Sequence, residues 1–143
     1  MSIKINIDGI DELTSAINSL VKEYPDEMEM GLRRVALGMK RSTVQKMRER
    51  TREHTGNLVK KGVKVDKVKG YGSNLSVDIY GNQPHFHLIE NGHEIIDPKT
   101  GENKGFAPGK HMMADTITEY REKYPEEMEK LVVRVIKKKG LNK

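Results

Sequence analysis

Four of the five histidines of this sequence, His85, His87, His93 and His111, fall in one stretch that also holds Glu90, and these are the residue types from which a zinc or other transition-metal site is built. If the segment from His85 to about Glu90 is an extended strand, His85 and His87 point to one face, as two ligands do, and Glu90 points to the other. His93 and His111 bracket the segment that follows. The helical His-Glu-x-x-His arrangement of metalloproteases is absent. Nucleophilic catalysis has even less to work with, since there is no cysteine, no Gly-x-Ser-x-Gly elbow and no glycine-rich phosphate loop. The expectation is therefore no catalytic residue, no metal and no cofactor, with the histidines serving as polar groups at an interface.

The elements that would carry these residues are mainly helical. Residues Ile3 to Ile7 alternate apolar and polar, Asp8-Gly9 offers a turn, and Ile10, Leu13, Ile17 and Leu20 then fall at helical spacing. This helix should stop at Tyr24, because Pro25 disfavours helical backbone in the residue before it and suits the first turn of a new helix. The second helix runs from Pro25 to about Arg52, with Asp26, Glu27 and Glu29 near its start and Arg48, Arg50 and Arg52 near its end, so both ends complement the helix dipole. Met28, Leu32, Val35 and Met39 form its core stripe. Met30, Leu37 and Val44 fall on roughly the opposite side, flanked by Arg33, Arg34, Lys40, Arg41 and Arg48. A helix with one solvated face has no need of that second apolar line, so either a later part of the same chain or a neighbouring subunit covers it.

Beyond the turn cluster Thr55-Gly56-Asn57, alternation takes over in Val63, Val65 and Val68 and again in Leu75, Val77 and Ile79, which predicts a hairpin turning between Lys69 and Asn74. With the strand at His85 this makes a small antiparallel sheet against the helices. Residues 91–110 show no sustained period, but Ile95, Ile96 and Phe106 flank a turn at Pro98 to Gly101, the pattern of a projecting ribbon. A last helical region starts near His111, with Met113, Ile117, Tyr120 and Tyr124 in register, and restarts at Pro125 with Met128, Leu131, Val132, Val135 and Ile136. It ends in three lysines and Gly140. The string Glu23-Tyr24-Pro25-Asp26-Glu27-Met28-Glu29 returns as Lys123-Tyr124-Pro125-Glu126-Glu127-Met128-Glu129, which reads as helix-entry grammar used twice.

Composition sets the outer bounds. A chain of 143 residues supports one core and one domain, 1–143, with the arm at about 91–110. The fold class expected is α+β: a small antiparallel sheet of about three to four strands packed on the long second helix and the last one. Zero cysteines exclude disulfides and thiolate zinc sites, and the absence of a run of about 18 apolar residues leaves no spanning helix, so a soluble, intracellular chain without a membrane partner is expected. The formal charge of +5, from 26 cations and 21 anions, is a mild excess. It keeps open a DNA-binding reading in which Arg33, Arg34, Lys40, Arg41 and Arg48 contact phosphates, although three apolar residues in such a patch argue against it.

The stretch His87-Leu88-Ile89-Glu90-Asn91-Gly92-His93, followed after an arm by Gly105-Phe106-Ala107-Pro108-Gly109-Lys110-His111-Met112-Met113, resembles the head-tail joining or tail-completion family of tailed bacteriophages, which includes proteins like minor tail protein Z. The likeness covers nearly the whole chain: an opening Gly9-Ile10-Asp11-Glu12-Leu13 helix, a long cationic helix, the Thr55-Gly56-Asn57-Leu58 entry into the sheet, the Glu-x-Gly strand end and a closing helix. One departure is His111-Met112, where many members carry a Pro-Phe pair. The resemblance implies a non-enzymatic structural subunit that forms a homo-oligomeric ring, a hexamer, between the head connector or adaptor proteins and the tail tube or tail terminator. Genomic DNA would pass through the ring without specific recognition. The protein would be assembled in the host cytoplasm and reside at the neck or top of the tail of the virion. On this footing Met30, Leu37, Val44 and Arg41 are the expected subunit interface, and Glu90, Gly92, His93, Phe106, Lys110, His111 and Met112 the expected arm and partner contacts.

Overall fold

A computed structural model describes residues 10–51, 57–70 and 75–140. The alternation at Ile3 to Ile7, the Asp8-Gly9 turn, the expected helix end at Arg52, Thr55-Gly56 and residues 71–74 of the hairpin turn lie outside them. Helix α1 (Ile10–Glu23) gives way at Tyr24, whose φ of −132° and ψ of 61° leave the helical region directly before Pro25, and α2 (Pro25–Arg50) starts with that proline in its first turn. A short α3 (Asn57–Lys61) leads into β1 (Val63–Val65), which pairs antiparallel with β2 (Ile79–Gly81). Then come α4 (Phe86–Asn91), β3 (Gly92–Ile96), β4 (Asn103–Pro108) and α5 (Met112–Lys138).

The α+β class holds, and the strands number four among the described residues, but they form two separate two-stranded ribbons, β1-β2 and β3-β4. The expected strand from His85 to Glu90 is a helix. His-Phe-His-Leu alternates over a window too short to fix the period, whereas Phe86, Ile89 and Glu90 stand at i, i+3 and i+4 and turn inward together. The expected restart at Pro125 is also replaced: α5 runs through that proline without a break. Pro125 cannot donate to the carbonyl four residues earlier, and Arg121, which carries that carbonyl, is an exposed residue.

Two apolar clusters hold the helices together. Leu20, Val21, Met28, Met128, Leu131, Val132 and Val135 form the first, with Tyr24 and Tyr124 against its edge, so the two copies of the repeated string meet in one core. Met47, Val63, Phe86 and Met112 form the second, where α2, β1, α4 and α5 converge. Helices α2 and α5 are antiparallel neighbours, and at Gly31 they approach so closely that a Cβ would overlap the Leu131 side chain. Between the clusters the Thr43 and Thr116 hydroxyl oxygens lie 3.1 Å apart, each also within hydrogen-bonding distance of a carbonyl of its own helix, so two protons are shared among three contacts. Both threonines are buried without an unsatisfied polar atom.

The core stripe of α2 is thus longer than expected. Met28 and Met39 are buried with Ala36, Thr43 and Met47, while Leu32 and Val35 are half-buried and line a partly open cavity of about 150 Å³ together with Leu75, Ile79 and Tyr124. The opposite line splits. Val44 packs on the second cluster, Leu37 is half-buried, and Met30 stands 53% exposed.

Candidate functional site

The residues of the Glu90 to Gly92 motif make a joint between the body and the arm. Helix α5 starts after His111, which sits in the left-handed region at φ 49° and gives no side-chain cap. The first N–H groups of a helix have no partner within it. Here they find Glu90, only 8% exposed, whose carboxylate accepts from the Met113 N–H at 3.0 and 3.1 Å and from the Ala114 N–H at 2.9 Å. These are the second and third helical residues, the ones an N-cap side chain normally serves, and a carboxylate also suits the positive end of the dipole. The backbone repeats the tie: Lys110 N–H donates to the Ile89 carbonyl at 2.8 Å and His111 N–H to the Glu90 carbonyl at 3.1 Å.

Helix α2 reaches the same joint from below. Arg50 Nη1 donates to the carbonyls of Lys110 at 2.9 Å and His111 at 3.3 Å and pairs with Asp115 at 2.6 Å. Gly92 follows α4 at φ 85° and ψ 165°, and a Cβ on it would meet the Ala107 carbonyl oxygen at 2.7 Å and the Gly109 nitrogen at 2.8 Å. The opening strand of the arm can leave α4 at this angle only because that residue has no side chain.

Beyond the joint the arm touches little of its own body. Strands β3 and β4 pair from Gly92 opposite Pro108, through Glu94 opposite Phe106, to Ile96 opposite Asn103, with a bulge at Ile95/Ile96. The tip is set by Asp97, whose N–H donates to the Glu102 carbonyl at 2.9 Å and whose carboxylate accepts from the Lys99 N–H at 2.8 Å. Ile95, Ile96 and Phe106 are all exposed, Phe106 at 62%. A two-stranded ribbon alone in water is marginal, and these side chains leave apolar surface exposed on it.

Of the expected contact residues, Glu90 and Gly92 shape the joint, and His93 lies beside it, half-buried, with its ring Nδ1 3.4 Å from the Leu88 carbonyl. Phe106, Lys110 and His111 are exposed. Met112 is a correction: at 0% exposure it belongs to the core with Met47, because the first turn of α5 faces inward there, and its side chain is not offered to a partner. His85 and His87 do not share a face. They stand at the cap and second residue of α4, and residues two apart on a helix point about 200° from each other. Among the described residues no three His, Asp or Glu side chains are grouped to hold a metal ion.

A second polar joint clasps α2 to α5. Lys46, buried between them, pairs with Glu119 at 2.9 Å and donates to Ser42 Oγ at 2.9 Å. The Lys46 hydrogen bond holds the Glu119 carboxyl below its ordinary value of 4.5. Because the folded value is depressed, the stabilisation is complete above the unfolded value and is lost as pH falls through the lower folded one. Glu119→Gln is therefore expected to flatten the decline of the urea midpoint below about pH 4.5, with a cost of about 1 kcal/mol at neutral pH, since the carboxylate is well solvated. An unchanged acid limb in the variant would show that this pair contributes nothing.

The sequence matches the family model described as "Bacteriophage HK97-gp10, putative tail-component" over residues 8–92. The matched span runs to Gly92, the first residue of the arm. Neither a curated protein nor a solved structure matches the chain.

Proposed function

The chain belongs to the HK97-gp10-like family of phage tail components, and on that premise we propose that it is a tail-completion or neck subunit acting as a ring of six identical copies. The ring joins the tail tube or tail terminator to the head connector or adaptor proteins, and genomic DNA passes through it unread. Its role is structural rather than enzymatic, and its place is the neck or top of the tail in the virion, reached by assembly in the host cytoplasm. The observation that carries this reading is the arm. A body that fixes the base of a two-stranded ribbon with Glu90, Gly92 and Arg50, and then leaves Ile95, Ile96 and Phe106 in water, is built to hold a neighbour.

The helix face at Met30, Leu37 and Arg41 is the surface on which neighbouring copies meet, with Val44 contributing less because it packs on the chain's own second cluster. The DNA-binding reading is less well supported. Arg33 is engaged by the Asp66 carbonyl at 3.1 Å, and Met30 stands exposed in the middle of the cationic row. Light scattering across a concentration series tests the ring. The wild-type chain is expected to rise to a defined multiple of its mass, and a Met30→Asp, Arg41→Glu variant to stay a folded monomer by circular dichroism. A folded variant equal to wild type both in mass and in joining tails to heads would overturn the interface.

A further inference from the structure

Where α2 and α5 run side by side near their outer ends, they leave a recess of about 140 Å³. Its floor is Leu131 and Val135, both buried, and Met30 forms an exposed wall. Around the opening stand Arg34, Arg134 and Lys138 with one acid, Glu27. Lys138 and Lys139 already hold Glu27, at 3.0 and 3.6 Å, so Arg34 and Arg134 have no carboxylate partner among the described residues. An apolar floor under a cationic rim selects an apolar side chain that carries an acid beside it.

The arm presents that pair. Phe106 is the most exposed large apolar side chain among the described residues, and Glu94, also exposed, stands directly opposite it in the ribbon. The size agrees: an apolar cavity of about 150 Å³ accommodates a benzene ring. The arm cannot fill the recess of its own chain. Phe106 is four residues from Lys110, which the Ile89 carbonyl ties to the joint two residues before α5, so it lies at most about 14 Å of extended backbone from that joint. The recess begins at Leu131, about twenty residues further along that helix, or roughly 30 Å.

Resting on the ring reading above, we propose that Phe106 of each copy inserts into the recess beside Met30 of the next copy, with Glu94 on Arg34 and Arg134. Two different patches meet in such a contact, so it is heterologous and propagates from copy to copy until a rotation closes it. It also explains why the arm base is fixed to three helices, since the angle at that joint sets the angle between successive copies.

The absence of cysteine makes the test direct. Phe106→Cys and Met30→Cys chains are prepared separately and mixed, then treated with a short bismaleimide, both as the isolated protein and during assembly of tails. The expected result is a covalent dimer in the mixture, little or none with either chain alone, and a ladder of linked copies from the double variant. Glu94→Arg should raise the concentration needed for assembly at least tenfold, and Arg134→Glu in the same chain should recover most of it. A dimer from Phe106→Cys alone, or a cross-link from Phe106→Cys to another tail protein in place of this chain, would overturn the contact. So would no product at all. In that last case an oligomer that still forms leaves the ring reading standing, whereas a strict monomer whose variants still join tails to heads takes the ring reading down with it.

Discussion

Glu90→Ala is expected to lower the unfolding free energy by roughly 2–3 kcal/mol, from the loss of a helix cap (up to about 2) and of a partly buried charge at the helix N-terminus (up to about 2), which overlap rather than add. For a chain of this length that is on the order of 6–10 °C in melting temperature. The carboxylate serves two N–H groups of α5 at once, through three contacts, and no side chain of the helix's own cap residue substitutes for it. Glu90→Gln keeps an acceptor in place and loses only the charge, so about half of the effect is expected. The alternative is that Glu90 matters through contact with a partner, and then both variants should melt with wild type and fail only in assembly. Urea unfolding of the three proteins separates the two: an unshifted midpoint for Glu90→Ala would exclude the capping role.

A capping acid is one of the readings the sequence leaves open for Glu90, but which helix it caps is not legible in the residues. An acid two residues before a glycine marks a strand or helix exit, but the groups it serves are backbone N–H groups 23 and 24 residues away, and backbone leaves no residue-type signature. Arg50 is hidden for the same reason, since its partners at Lys110 and His111 are carbonyls. The long helices were readable because sustained 3.6-residue periodicity and the Pro25 break are strong local signals. The phase of α5 was off by one residue at its start. Met113 and Ile117 look like the inward positions, yet Met112 and Thr116 are the fully buried ones, because Thr116 pairs its hydroxyl with Thr43 and so hides its polarity. The arm came through as a ribbon because its turn at Asp97 to Glu102 depends on local chemistry, whereas the helix at Phe86 depends on the second core cluster that it closes.

The same joint gives the largest expected loss, at Gly92. Its backbone, at φ 85° and ψ 165°, lies where only glycine is at ease, which costs another residue about 1–3 kcal/mol. A Cβ there would also press on the Ala107 oxygen and the Gly109 nitrogen, backbone atoms that move only if β3 and β4 part or the arm swings on its base. Forced overpacking of that kind adds about 1–3 kcal/mol, so Gly92→Ala should cost about 3–5 kcal/mol. Gly101 at the arm tip is the control, because it too has a positive φ, 71°, but nothing lies within 4 Å of its would-be Cβ. Gly101→Ala should therefore show the backbone cost alone, about 1 kcal/mol, and leave assembly intact. Should the two substitutions prove equally mild in urea, the close approach at Gly92 carries no weight. If Gly92→Ala is the more damaging, amide exchange is expected to speed up at Lys110 and His111, whose N–H groups are tied to α4. Ring formation should then fail even at temperatures where the helical body stays folded, since the angle at which the arm leaves α4 is set at this residue.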